Sequence, residues 1–118
     1  MKIICVCTAG KTRSVWMSKH INDTFPGVTA TAVGINSRLA EDRLYSYHDL
    51  FSADLVLTVS SLHLANVNGF IRGSNYYLGE SDACVFGEVV NVPLMRLWRT
   101  DPEKALASID RIIRRRLK

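Results

Sequence analysis

Apolar runs alternate along the chain with amphipathic stretches, and this pattern predicts strands that alternate with helices. Apolar runs rich in β-branched residues predict strands at residues 2–6, 28–35, 53–59 and 88–92. Amphipathic stretches predict helices at residues 13–25, 41–52, about 61–67 and about 100–117. Residues 36–40 and 68–82 are expected to be loops. Strands separated by helices form a parallel sheet, so we expect one α/β domain, residues 1–118, with helices on both faces of the sheet.

The loop between the first predicted strand and the first predicted helix holds a thiol and a guanidinium. Five residues separate Cys7 from Arg13, enough for the backbone N–H groups to curl around an anion at the helix N-terminus. Gly10 can take the positive φ that such a curl requires, and Arg13 can hold two oxygens of a tetrahedral anion. These groups favour a thiolate, so the pKa of Cys7 is expected below the free value of about 8.5. Ser14 can donate its hydroxyl to the same sulfur.

The Cys-x5-Arg-Ser motif in this strand–loop–helix frame resembles the low-molecular-weight protein tyrosine phosphatases. Residues 51–57, with Ala-Asp ahead of an apolar run, are also similar to that family. The resemblance implies a four-stranded parallel sheet flanked by helices, and hydrolysis of a phosphotyrosine-containing protein or a small aryl phosphate without a cofactor. It implies that Cys7 forms a phosphocysteine intermediate and that Arg13 holds the phosphoryl group. The phosphate-binding residues that it implies are Thr8, Ala9, Gly10, Lys11, Thr12, Arg13 and Ser14.

The family's proton donor is an aspartate followed by proline, on a loop after the last strand. Here Pro93 is followed by Leu94, and the Asp-Pro pair of the chain is Asp101-Pro102. Asp101 is therefore the predicted catalytic acid. The same stretch also fits the start of a helix, because Thr100-x-x-Glu103 matches a capping box. If Asp101 has only that role, the alternative acids are Asp82 and Glu80.

Three other functions could use the same loop. Gly10-Lys11-Thr12 matches the end of a nucleotide-binding loop, but Cys5 stands where that loop has its first glycine. An arsenate reductase of the same fold needs resolving cysteines, and only Cys84 follows the loop. The third function is a catalytically weakened module that binds phosphate or phosphotyrosine, and the missing aspartate after Pro93 favours it.

Composition and charge limit the classes of partner. The chain has three cysteines, an odd number without a paired framework, and its histidines show no metal-ligand spacing around Cys5 and Cys7, so no metal is expected. The net charge of +4 comes largely from the end of the last helix, where basic residues suit the helix dipole. No aromatic residues are interleaved there, so no nucleic-acid partner is expected. Without an apolar run long enough for a membrane span or a signal peptide, the expected location is cytoplasmic, and the oligomeric state stays open.

Overall fold

The computed structural model describes residues 1–72, 88–94 and 96–117. The strands within these residues are β1 (Lys2–Cys7), β2 (Thr29–Gly34), β3 (Leu55–Thr58) and β4 (Glu88–Asn91). The α-helices are α1 (Arg13–Thr24), α2 (Ser37–Ala40), α3 (Tyr47–Ser52), α4 (Ser61–Arg72), α5 (Leu97–Thr100) and α6 (Pro102–Leu117). A 3₁₀ helix spans Glu41–Arg43. None of the helices in the described ranges is both long enough and apolar enough to cross a membrane.

The sheet has four parallel strands in the order β2-β1-β3-β4. β1 is an interior strand, in which Cys5 lies opposite Ala32 of β2 and Leu57 of β3. The chain passes from β1 to β2 on one side and then to β3 on the other, so the strand order reverses beside β1. Parallel sheets bind ligands beyond the C-terminal ends of their strands at such a point, and Cys7 is the last residue of β1.

The side chains of β1 alternate between two hydrophobic cores, one on each face of the sheet. Ile3 packs in a cluster with Met17 of α1 and Ile109 of α6. Ile4 packs on the opposite face with Leu50 of α3 and with residues of α4. All five of these side chains are buried, and full burial of a side chain of this size stabilises a fold by about 1.5–3 kcal/mol. The prediction of a parallel sheet with helices on both faces is thus confirmed.

The segment between β2 and β3 differs from the sequence prediction of a loop at 36–40 and one helix at 41–52. Asn36 caps α2 inside the predicted loop, because its side chain accepts hydrogen bonds from two backbone N–H groups of the next turn. In place of the predicted helix there is the 3₁₀ helix Glu41–Arg43, which begins at a residue with a φ of +54°, and then α3, which Ser46 starts with a capping box. Both predictions are wrong because side-chain caps, rather than hydrophobic periodicity, set these boundaries.

Two further differences lie in the second half of the chain. α4 continues to Arg72, past the predicted end at residue 67, because Phe70 and Ile71 pack against the core on the α3 and α4 face. The rest of the predicted loop 68–82 lies outside the described residues. α5 is not predicted from the sequence, and the other elements are confirmed with ends shifted by a residue or two.

Candidate active site

The loop that connects β1 to α1 is anchored to the end of β2. The Thr8 carbonyl accepts hydrogen bonds from the N–H groups of Ile35 and Asn36, both at 3.0 Å. The Arg43 guanidinium donates to the carbonyl of Gly10 at 3.0 Å. These bonds hold the loop over the C-terminal edge of the sheet, where the reversal of strand order leaves room for a ligand.

Two glycines allow the loop and the end of β2 to touch backbone to backbone. Gly10 has a φ of +68°, and a Cβ there would lie 2.6 Å from the carbonyl carbon of Val33. A Cβ on Gly34 would lie 2.6 Å from the carbonyl carbon of Ala9. The expected positive φ at Gly10 is therefore present, and the close approach to Gly34 adds a second reason for glycine.

The sulfur of Cys7 lies within a set of hydrogen-bond donors. The Gly10 N–H donates to Sγ at 3.2 Å, and Ser14 Oγ lies 3.0 Å from Sγ, where its hydroxyl donates to a thiolate. Burial by itself raises the pKa of Cys7, but hydrogen bonds from the Ser14 hydroxyl and from the N–H groups of Ser14, Gly10 and Thr12 outweigh it and lower that pKa. The lowered pKa of Cys7 agrees with the expectation from the sequence.

Cys5 provides an internal contrast to Cys7. It is fully buried in the core on the α1 and α6 face. Burial, and then the charge of Cys7, raise the pKa of Cys5 far above its ordinary value. Two thiols on one strand therefore differ in reactivity, and the one at the strand end carries the thiolate character.

A cavity of about 640 Å³ opens over Cys7. Its described lining residues come from the loop, from α2 and from the segment around α5: Cys7, Thr8, Ala9, Thr12, Arg13, Leu39, Arg96, Trp98, Arg99 and Thr100. Arg13 Nη2 donates to Thr8 Oγ1 across 3.4 Å, which holds the guanidinium at the wall. Three arginines and no carboxylate stand among these described lining residues, so the cavity suits an anion.

His63 is a site residue that sequence reasoning missed. It is buried in the first turn of α4, with Nε2 at 3.0 Å from Thr8 Oγ1 and Nδ1 against the Ser60 hydroxyl. Burial, and then the charge of Arg13, lower the pKa of His63, so the ring is neutral near neutral pH. Ser60 Oγ also accepts the backbone N–H of His63. The two ring nitrogens of His63 therefore link Ser60 to Thr8, which lines the cavity.

The structure places Asp101 at the start of α6. Its side chain is exposed, and Oδ1 accepts the backbone N–H of Lys104 at 3.2 Å, so Asp101 is the N-cap. The Thr100 hydroxyl instead donates to the carbonyl of Arg96, and Asp101 does not line the cavity over Cys7. Leu94, which follows Pro93, is buried in the core. The catalytic role predicted for Asp101 stays a prediction.

The remaining predicted residues divide into three groups. Thr8, Ala9, Thr12 and Arg13 line the cavity with Cys7, as the sequence predicts. Lys11 turns away to the exposed Glu41, with its Nζ 3.2 Å from a carboxylate oxygen. Glu80, Asp82 and Cys84 lie outside the described residues.

Arg96 and Arg99 also escaped the sequence analysis. The sequence did contain a signal for them, since two basic residues three positions apart follow the C-terminal end of the last predicted strand, at the edge where ligands bind.

Comparisons of the chain with models of protein families, with curated proteins and with solved structures found no match.

Proposed function

We propose that this protein hydrolyses phosphomonoesters with Cys7 as nucleophile, as a short and divergent relative of the low-molecular-weight protein tyrosine phosphatases. The observation that carries the proposal is the environment of Cys7 Sγ, with the Gly10 N–H at 3.2 Å and the Ser14 hydroxyl at 3.0 Å. A thiolate held at the floor of an arginine-lined cavity serves as nucleophile and lies inside an anion site. The proposed substrates are a phosphotyrosine-containing protein or a small aryl phosphate in the cytoplasm.

The proposed reaction has two steps. In the first, a sulfur lone pair of Cys7 forms an S–P bond while the P–O bond to the leaving group breaks, and the leaving oxygen takes the electron pair. The loop N–H groups and Arg13 stabilise the charge on the other phosphoryl oxygens. In the second, a water oxygen attacks phosphorus, the S–P bond breaks and the thiolate returns, assisted by the Ser14 hydroxyl. The water proton passes to the carboxylate of Asp101, which has given its own proton to the leaving oxygen in the first step, and inorganic phosphate leaves.

The proton for the leaving oxygen is assigned to Asp101, the Asp-Pro aspartate of the chain. In the resting geometry that carboxylate accepts the Lys104 N–H, so donation requires this bond to open. A nitrophenolate leaves readily without a proton, whereas a tyrosine phenolate with a pKa of about 10 needs one. The nucleophile and the acid can therefore be tested separately by the choice of substrate.

The test of the nucleophile is turnover of nitrophenyl phosphate. Cys7→Ser should abolish turnover, while Cys5→Ala, which removes the neighbouring thiol of the same strand, should keep it. Arg13→Lys should lower kcat/KM by about 10²-fold or more, which corresponds to a loss of about 2.7 kcal/mol of transition-state stabilisation. A lysine keeps the charge of the arginine but cannot form its bidentate hydrogen bonds. Residual turnover by Cys7→Ser, or an Arg13→Lys loss within about threefold, would overturn the proposal.

A second candidate function is a module that binds a phosphoryl group without hydrolysing it. Two positions favour it: the residue after Pro93 is the buried Leu94 and not an aspartate, and Asp101 is engaged as a helix cap. This candidate predicts that phosphate or vanadate protects Cys7 from alkylation although nitrophenyl phosphate is not turned over. Protection together with turnover that depends on Cys7 excludes it.

A further inference from the structure

Two exposed arginines line the same cavity as Cys7 without belonging to its anion-binding loop. Arg96 directly precedes α5 and Arg99 lies within it, and both residues line the cavity. Neither forms an ion pair within the part of the chain that the structure describes. Two arginines without a carboxylate partner among the described residues therefore stand beside the proposed phosphoryl site.

α5 and the side chain of Arg99 are held in place by packing. Arg99 lies over the ring of Trp98, with its guanidinium carbon 4.5 Å from the ring centroid. The Trp98 ring in turn contacts the Trp16 ring, with centroids 6.3 Å apart. The carbonyl of the buried Leu94 accepts the N–H at the start of α5. Side chains on such a support lose less conformational freedom when they bind a ligand.

The positive charge at the cavity exceeds what one phosphate monoester requires. A dianionic phosphoryl group is already served by the loop N–H groups, by the N-terminus of α1 and by Arg13. Arg96 and Arg99 bring two more charges of the same sign to the cavity, and an anion bound between them would offset their mutual repulsion. A second anionic group beside the phosphoryl group would satisfy them.

We propose that the substrate of this site is a phosphotyrosyl peptide with acidic residues next to the phosphotyrosine, recognised by Arg96 and Arg99. The inference rests on the proposed function and adds the class of substrate. An extended peptide fits better than a compact bisphosphate because the rim groups are spread around the mouth. Leu39, 52 % exposed, stands on α2, whereas the arginines stand at α5. A chain that crosses the mouth would place flanking side chains against both walls.

The test compares two phosphotyrosyl peptides that differ only in glutamate or glutamine beside the phosphotyrosine. Wild-type protein should prefer the glutamate peptide by about tenfold in kcat/KM at low salt, and the preference should shrink as salt screens the charges. In the double variant Arg96→Ala/Arg99→Ala the ratio between the peptides should fall to about twofold or less. Because the readout is a ratio within each variant, it does not depend on basal activity.

The matched control is the double variant Arg111→Ala/Arg115→Ala. It removes the same charge from exposed positions on α6 that do not line the cavity. This control should keep the wild-type ratio, since a charge far from the ligand is largely screened. The inference is overturned if wild-type protein turns over both peptides with the same kcat/KM, if the Arg96/Arg99 variant still discriminates between them, or if the control loses the preference equally.

A binding measurement separates failure of this inference from failure of the proposed function. The affinities of both peptides are measured with the Cys7→Ser variant, which cannot turn them over. If the variant binds the glutamate peptide more tightly but the wild type does not turn over nitrophenyl phosphate, the proposed hydrolase function is refuted and the proposed class of peptide is supported. If the wild type turns over nitrophenyl phosphate but shows no preference for the glutamate peptide in rate or in binding, the proposed class of peptide is refuted and the proposed hydrolase function is supported.

Discussion

Gly10→Ala should destabilise the protein and disturb the Cys7 loop, whereas Gly27→Ala should have only the conformational part of that effect. Both glycines have a positive φ, +68° and +79°, which a residue with a Cβ adopts at a cost of about 1–2 kcal/mol. A Cβ on Gly27 would meet no atom within 4 Å, but a Cβ on Gly10 would lie 2.6 Å from the carbonyl carbon of Val33. A backbone carbon cannot turn aside as a side chain does, so the loop itself must move.

The expected magnitudes follow from these two components. Overpacking typically costs about 1–3 kcal/mol, and the lower entropy of the unfolded chain with alanine offsets about 0.4–1 kcal/mol. The free energy of unfolding should therefore fall by about 2–4 kcal/mol for Gly10→Ala and by about 1 kcal/mol or less for Gly27→Ala. For a chain of 118 residues, 1 kcal/mol corresponds to about 4 °C in Tm. The expected losses in Tm are thus about 8–16 °C and at most about 4 °C.

Thermal unfolding followed by circular dichroism measures the stability change, and alkylation by iodoacetate at about pH 6 measures the state of the thiol. The Gly10 N–H donates to Cys7 Sγ at 3.2 Å, so a displaced loop should slow alkylation of Cys7 in Gly10→Ala and leave it unchanged in Gly27→Ala. A Cys84→Ser background removes the third thiol. Equal losses of Tm in the two variants would refute the close contact between the loop and β2.

Two further predictions concern Ser14 and Asp101. Ser14→Ala removes a hydrogen bond that lowers the pKa of Cys7, so the midpoint of the pH profile of alkylation should move to higher pH. The control Ser18→Ala should leave the midpoint unchanged, and an unchanged midpoint in Ser14→Ala would contradict the prediction. The stability that the Cys7 thiolate contributes is present above the unfolded pKa of about 8.5 and is lost as pH falls through the lower folded pKa, so Ser14→Ala should also flatten the pH dependence of Tm. Asp101→Ala should lower the free energy of unfolding by about 1 kcal/mol, and Asp101→Asn by much less, because an asparagine still caps α6. If Asp101 is the proton donor, both variants should lose turnover of phosphotyrosine more than of nitrophenyl phosphate, and unchanged turnover of both substrates by Asp101→Asn would exclude that role.

The central loop could be predicted because its determinants are adjacent in sequence. A β-branched run, a thiol, five spacer residues, an arginine and an amphipathic run specify strand, loop and helix without reference to the rest of the chain. The same local signals placed β3, whose apolar residues are buried on both faces of the sheet. Local signals failed at α2, where the single side chain of Asn36 starts a helix that hydrophobic periodicity does not indicate.

Residues that join the site from distant segments were not predictable in the same way. His63 reaches Thr8 because β3 pairs with β1, which brings the start of α4 to the end of β1. Gly34 has to be a glycine because the end of β2 touches Ala9. Each contact depends on strand order, which an alternating pattern of strands and helices leaves open. Once the order is known, the C-terminal edge of the sheet indicates where to look for such residues.

The cap that Asp101 forms and the catalytic role proposed for it compete for one carboxylate, and this limits what the proposed site can do. As an N-cap, Asp101 holds the Lys104 N–H at 3.2 Å and leaves the described lining of the cavity without an acid. To protonate a leaving group it must first release that N–H, which gives up a cap of about 0.5–2 kcal/mol. A cost of that size slows the chemical step by about 2- to 30-fold for substrates that need the proton, and does not affect those that leave without it. If kcat/KM depends only weakly on the pKa of the leaving group, the cap opens and Asp101 donates the proton. If kcat/KM falls steeply as that pKa rises, the site works without this acid.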